Sequence, residues 1–286
     1  MRTGFIGLGD QGGPMAEMIL GAGFELSVWA RRPEVMTRWR ALGAGLAEAP
    51  NRLAAESDIL CLCVTGDDDV TELLLGRGVL GAMRPGSTVA VHSTIRPSTC
   101  VMLARHAAAC GVSLLDAPVS GSGHAARTRS LLVMVGGEEA ALDRVRPVFA
   151  AYAGTILRMG EVGAATTAKL INNLLAALSI GQAVRALELG CGLGFDPALL
   201  RRAVLAGTGR SFAMEAVARF QEPARAAHVA AILRKDVALA LEELPAHASA
   251  AWGPHAWDGV AALEGLALGR SALSTHRQPQ GDTYGQ

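Results

Sequence analysis

The chain has no excess charge of either sign. Lys and Arg total 26, Asp and Glu total 26, and the sequence pI is about 7.1 over 286 residues. Without a net field it offers little to attract a nucleic-acid backbone or an anionic lipid surface, so neither is expected as a partner. It also lacks an uncharged apolar run of the ~20 residues that a bilayer demands, so no membrane association is expected. The N-terminal stretch MRTGFIGLGDQGG enters a motif at once, without the charged-then-apolar pattern of a secretory leader. Cysteine is scarce and odd in number, at five, and falls mostly in apolar segments. Cys61 and Cys63 alternate in DILCLCV as buried strand positions would, and no Cys/His pair nearby completes a metal site. Free thiols, no metal and a reducing, cytoplasmic setting are the expectation. Internal repeats and low-complexity linkers are absent.

What is present is ample apolar material, half of all residues with a mean hydropathy of +0.29. At this length it suggests one large domain or two ordinary ones. Residues 3–7, TGFIG, read as a short buried strand. The next six positions form a G-x-G-x-x-G that begins on that strand's last glycine: Gly7, Leu8, Gly9, Asp10, Gln11 and Gly12. A helical run, PMAEMILGAG, and a second strand, ELSVWA, follow at the spacing of a βαβ unit. Alone the glycine pattern is weak; between strand and helix it is a dinucleotide turn. The glycines permit a tight bend, close approach of backbone to a pyrophosphate and close helix–strand packing. The helix N-terminus then offers unpaired N–H groups to the phosphates.

The second strand ends at Ala30, where an NAD site places an acidic residue for the ribose 2′-hydroxyl. Arg31 and Arg32 follow instead. Two guanidinium groups suit a 2′-phosphate, to which they make charge-assisted, often bidentate bonds. The alternative is a solvated basic turn. The reading favours NADP as cofactor over NAD.

Further strands are expected at 57–64, 87–94, 112–123, 130–137 and 155–160, alternating with helices, one begun by Pro97 and one over EEAALDRVRPVFA. That order gives an α/β, Rossmann-type doubly wound parallel sheet. After Gly160 the strand signals vanish and Ala/Leu/Arg/Glu-rich helical runs continue to about Arg270. The expected organisation is a nucleotide-binding domain over 1–161 and an all-α domain over 162–286. A helix from about Gly163 to Gly192, roughly 45 Å long, joins them and is long enough to bridge domains or subunits. Gly181 and Gly190 mark a bend or a close crossing in it. The polar tail from Ser274 is expected to be disordered.

Within that helix, GEVGAATTAKLINN places Lys169 and Asn173 four residues apart, on one face. An amine and a carboxamide on a shared face can move a proton and orient a carbonyl compound. The plainer alternative is a snorkelling lysine beside a bridging asparagine.

Several segments together resemble the β-hydroxyacid dehydrogenase family, which includes 3-hydroxyisobutyrate dehydrogenases and tartronate, glyoxylate and succinic semialdehyde reductases. They are GFIGLG-x-x-G-x-PMA (4–16), the strand-end loop at Val64 and Thr65, HST (92–94), DAPVSG (116–121), MVGG (134–137), GAATTAKLINN (163–173) and KD (235–236). The match runs in the family's order over residues 1 to 245. It implies a substrate site between the two domains and Lys169 as catalytic acid/base. Asn173 would hold the substrate, and the loop Ser120-Gly121-Ser122 would bind its carboxylate. Gly7 to Gly12, Val64, Thr65, Thr94 and Lys235 would contact the cofactor, with Asp236 supporting Lys235. A homodimer or homotetramer built through the helical domain is also implied, acting on a small anionic hydroxyacid or semialdehyde. The chain departs from the family pattern at Gln11, Ala30, Ser122, Arg129 and Arg185. These changes leave the dinucleotide turn and the lysine in place and open the question of the substrate. An imine reductase of the same architecture and a non-catalytic NADP-binding scaffold are the competing readings; the presence of Lys169 argues against both.

Overall fold

The structure is a computed structural model that describes residues 1–275. The chain divides into two compact units, Met1–Lys169 and the residues from Leu170 onward.

The first unit runs β1 (Arg2–Ile6), α1 (Gly12–Gly21), β2 (Glu25–Trp29), α2 (Pro33–Ala41), β3 (Gly45–Leu46), α3 (Pro50–Glu56) and β4 (Ile59–Leu62). It continues with α4 (Asp67–Thr71), a π-helical turn (Glu72–Gly76), α5 (Val79–Ala82), β5 (Thr88–Val91), α6 (Pro97–Ala109) and β6 (Ser113–Asp116). Then come β7 (Val119–Ser120), α7 (Gly123–Arg127), β8 (Leu131–Gly136), α8 (Glu139–Phe149) and β9 (Ala153–Gly160). Among the described residues these strands form one nine-stranded sheet in the order β3-β2-β1-β4-β5-β6-β8-β7, with β9 paired to β8. The chain starts at the middle of the sheet, leaves through β2 and β3, and returns on the other side of β1 through β4. Strand order therefore reverses between β1 and β4, the position where open α/β sheets bind ligands beyond the C-terminal ends of their strands.

The strands of this stretch are parallel, and ILCL and TVAV are buried at every position because helices cover both faces. Alternation sorts their side chains. Phe5, Ile59, Cys61 and Ala90 pack into one core with α1 and α8, whereas Ile6, Leu60, Leu62 and Val91 pack into another with α3 and α6. Three features differ from the sequence expectation. The two-residue β3 carries no periodicity that would reveal it. The sheet is not wholly parallel: β8 runs antiparallel to β6 and β7, because β7 turns back through α7 instead of crossing over. Cys63 lies beyond the end of β4 and is half-buried, while Cys61 is buried within it.

A single helix, α9 (Ala164–Gly192), carries the chain out of the first unit. The second unit holds the rest of it with α10 (Pro197–Ala206), α11 (Phe212–Ala216), a 3-10 turn (Val217–Gln221), α12 (Pro223–Glu243), α13 (Ala246–Ala267) and α14 (Ala272–Thr275). Leu174, Ala177, Ile180, Val184 and Leu187 recur at three- and four-residue spacing along α9 and form a core with Ala230, Leu233 and Val237 of α12 and Val260 and Leu263 of α13. Gly181 is the expected close crossing: a Cβ there would lie 2.9 Å from Cα of Gly259. By length and composition α9 is apolar enough to cross a membrane, but these positions bury it in a helical core. Arg185, one departure from the family pattern, pairs with Asp258 at 2.8 Å. Ser274 and Thr275 belong to α14; the rest of the polar tail, 276–286, lies outside the described residues.

Candidate active site

The glycine turn sits at the strand-order reversal. Gly7 has φ +99°, and a Cβ on it would lie 2.1 Å from the carbonyl oxygen of Cys63, so the ends of β1 and β4 can approach only because it is glycine. A Cβ on Gly12 would lie 1.9 Å from the Gly7 oxygen, which seats α1 tightly on the turn. Gly9 is different: a Cβ there would meet nothing within 4 Å. Its backbone borders open space, as a chain that admits a pyrophosphate must. No side chain caps α1 and no acidic residue occupies its first turn; the Gly13 N–H donates to the Gly9 carbonyl at 2.8 Å and Pro14 has none, so the N–H groups of the turn up to Gly12 are the ones that can face an anion. The residues present therefore fit a dinucleotide. Asp10 is exposed, and Gln11 turns its amide toward the Met15 sulfur at 3.7 Å.

The neighbouring strand ends are tied together. The N–H of Val64 donates to Oγ of Ser93 at 2.9 Å. Asp67 Oδ1 accepts from the N–H of Arg96 at 3.0 Å and from the Thr99 hydroxyl at 2.6 Å. The loop after β4 thus holds the loop after β5, between whose anchors lies the half-buried Thr94. Asp67, in the first turn of α4, is also the clasp of α6. Thr65 is exposed. Arg31 and Arg32 are exposed as well; Arg31 pairs with Asp69 at 3.1 Å and Arg32 with Glu34 at 3.9 Å.

The loop from Ser120 to Ser122 packs against this turn. Gly121 has φ +122°, and a Cβ on it would meet Leu131 at 2.7 Å. A Cβ on Gly123 would lie 2.5 Å from the Asp10 oxygen. Ser122 precedes α7 without its side chain capping the helix, and His124 is exposed. Arg129, where the family pattern has glycine, is the one non-glycine among the described residues with positive φ, at 52°.

Lys169 and Asn173 lie one turn apart on α9 and both are buried. In the second unit the Asn173 amide is held at both ends: Nδ2 donates to Asp236 Oδ2 at 2.5 Å, and Oδ1 accepts from Nδ2 of Asn172 at 3.0 Å. The other Asp236 oxygen is 3.3 Å from Nζ of Lys235. A signal the motif reading passed over lies in the composition. Lys169 and Lys235 are the only two lysines of the chain, every other cation among the 26 basic residues being arginine. Arginine cannot release its proton in a protein, whereas lysine can.

Fold and turn define a Rossmann-type dinucleotide-binding protein with an appended helical domain. The family described as the NAD binding domain of 6-phosphogluconate dehydrogenase matches residues 2–160. That described as the NAD-binding of NADP-dependent 3-hydroxyisobutyrate dehydrogenase matches residues 163–272. A 2-hydroxy-3-oxopropionate reductase of Escherichia coli is 36% identical over 216 residues, 75% of this chain and 74% of its own. The solved structure of a Mycobacterium tuberculosis 3-hydroxyisobutyrate dehydrogenase with L-serine superposes with TM-score 0.80 at 27% identity, covering 95% of this chain and 96% of that one. A structure described as Psf3 in complex with NADP+ and 2-OPP gives TM-score 0.76 at 26% identity, covering 85% and 87%. The chain belongs to the β-hydroxyacid dehydrogenase family, and is an oxidoreductase of that class.

Proposed function

We propose that the protein moves a hydride reversibly between NADP(H) and a small β-hydroxyacid or semialdehyde acid, with Lys169 as its acid/base. The observation that carries this reading is the chain's lysine usage. A chain that uses arginine everywhere else keeps lysine at two positions, both in the segments that mark the family. The dinucleotide, held by the Gly7–Gly12 turn, Val64, Thr65, Thr94 and Lys235, supplies the hydride when bound. Lys169, as ammonium, stabilises the charge that develops on the substrate oxygen and donates the proton that ends there as a hydroxyl. In oxidation neutral Lys169 accepts that proton, so the oxidative rate rises with pH as the amine loses its proton.

The loop of Ser120, Gly121 and Ser122 presents backbone N–H and hydroxyl donors to the substrate carboxylate. Asn173, its amide orientation set by Asp236 and Asn172, donates to the substrate with its remaining N–H. Arg31 and Arg32 hold the 2′-phosphate. Ile171, Leu175 and Leu189, exposed on one side of α9 at 50%, 55% and 67%, are apolar surface that supports a homodimer or homotetramer through the helical unit. The five free thiols support a cytoplasmic setting.

The test is NADPH consumption over paired substrates. Small semialdehyde acids should exceed their neutral amides, esters or simple aldehydes at least tenfold in kcat/KM, since a missing anion leaves built donors unpaired. A neutral aldehyde or cyclic imine that performs as well would overturn the carboxylate loop, with Ser122 the first residue to reassign.

A further inference from the structure

We propose that Asp116 is a positioning residue for Lys169: its buried carboxylate ties the first turn of α9 to the sheet and so sets where the lysine amine stands. The proposal rests on Lys169 being the acid. Asp116 ends β6 and is 0% exposed. Its Oδ1 accepts from the N–H of Gly163 at 2.8 Å, and its Oδ2 from the N–H of Thr166 at 2.8 Å and the Thr166 hydroxyl at 3.0 Å.

The first N–H groups of a helix need partners from outside it. Usually the residue just before the helix supplies one from its own side chain. Gly163 has no side chain to offer, and the acceptor comes instead from a strand about fifty residues earlier. A local cap fixes a helix only to its own entry. This one fixes α9 to the central sheet. Room for it is built in, because a Cβ on Gly136 of the neighbouring β8 would lie 2.2 Å from Asp116 Oδ1. Thr166 is itself 0% exposed and meets Cys100 at 3.5 Å, so the anchored turn has nowhere to slide.

Lys169 follows Thr166 by three residues, on the same helix face. In the other chain direction, Ala117 and Pro118 lead from Asp116 to β7 and the loop at Ser120. One carboxylate therefore stands at the root of both the acid and the proposed anion loop. Proton transfer needs heavy atoms within about 2.6–3.2 Å, and a displacement of about 1 Å can cost on the order of 10²-fold in rate. Asparagine at 116 keeps the size but turns an NH2 toward an N–H donor, and the first turn of α9 must then shift.

The expected result for Asp116→Asn is a kcat at least tenfold lower, with KM for the semialdehyde acid and Kd for NADPH within threefold of the parent. Thr166→Val, which keeps the backbone bonds and loses only the hydroxyl, should lower kcat at least threefold and serves if Asp116→Asn does not fold. A double-mutant cycle separates positioning from mere stability. With Lys169 replaced by alanine, the second substitution should slow turnover no more than twofold further. Losses that multiply in the double variant, or a kcat within twofold of the parent in the single one, would overturn the proposal. A Lys169→Ala enzyme that keeps its activity would instead overturn the acid assignment itself, and the single variants show which of the two has failed.

Discussion

Titration of His92 should govern the acid stability of the first unit. His92 follows β5 and is 3% exposed. Its Nδ1 lies 2.7 Å from the Ala117 carbonyl, which can only accept, so Nδ1 carries the proton. Nε2 then accepts from the Tyr152 hydroxyl at 3.2 Å. Phe5 stacks on the ring at 6.4 Å between centroids and Phe149 meets it edge-on at 5.5 Å. Burial in this aromatic cage pushes the imidazole down from 6.5 to about 4, against a smaller upward pull from the Ala117 carbonyl. The unfolded chain therefore binds this proton at about pH 6.5 and the folded chain only near pH 4. The stability contributed by neutral His92 is complete above pH 6.5 and is lost as pH falls from 6.5 to 4. At about 1.4 kcal/mol per pH unit the loss comes to about 3 kcal/mol over the window. Urea denaturation of the parent and of His92→Gln at half-unit steps from pH 4.5 to 7.5 measures it. The variant will be less stable at neutral pH, but its stability should fall less steeply with acid, by about 1.4 kcal/mol per unit. Parallel lines would refute the reasoning.

The Arg31–Asp69 pair is exposed and worth about 0–1 kcal/mol, so a 2′-phosphate should displace Asp69 readily; kcat/KM should favour NADPH at least tenfold, and equal or better use of NADH would refute the assignment of the two arginines. Replacing Ala30 with Asp and both arginines with neutral residues should move the preference toward NADH. Arg129 at φ 52° holds a conformation that costs a side-chain-bearing residue about 1–2 kcal/mol; glycine there recovers part of it, so Arg129→Gly should raise the unfolding free energy read from urea denaturation by up to about 1 kcal/mol once the added unfolded-state freedom is deducted. Light scattering at micromolar concentration should give at least twice the 29.6 kDa of one chain; a monomeric mass would reject the exposed apolar side of α9 as an interface.

The sequence made legible whatever is periodic or local. Continuous apolar runs marked β4 and β5 because burial on both faces leaves no polar alternation. The G-x-G-x-x-G turn was readable because its three glycines recur at fixed spacing between an apolar strand and a helical run. What could not be read depends on contacts far apart in the chain. The antiparallel β8 looks like any other apolar strand, since strand direction is set by the connection through β7 and α7. Asp116 is a lone carboxylate at a strand end in LLDAPV, and its partners lie about fifty residues on. Asp67 behaves likewise, its acceptor role at α6 hidden behind an acidic run that suggests only solvation. His92 reads as one letter of HST, and only the fold surrounds it with Phe5, Phe149 and Tyr152.

Because the chain has two lysines, labelling lysine with ¹³C gives two side-chain signals, and Lys235→Arg leaves that of Lys169 alone. Its titration, followed in the NADP+ complex, is to be compared with the pH profile of kcat/KM for hydroxyacid oxidation at saturating NADP+. The account predicts one pKa for both within 0.3 units, as an order-of-error allowance of about 0.4 kcal/mol, and a rate at least about 10²-fold lower in Lys169→Ala with NADPH affinity unchanged. A kinetic pKa that stays in place when Lys169 is removed, or one that the lysine signal does not share, would contradict it.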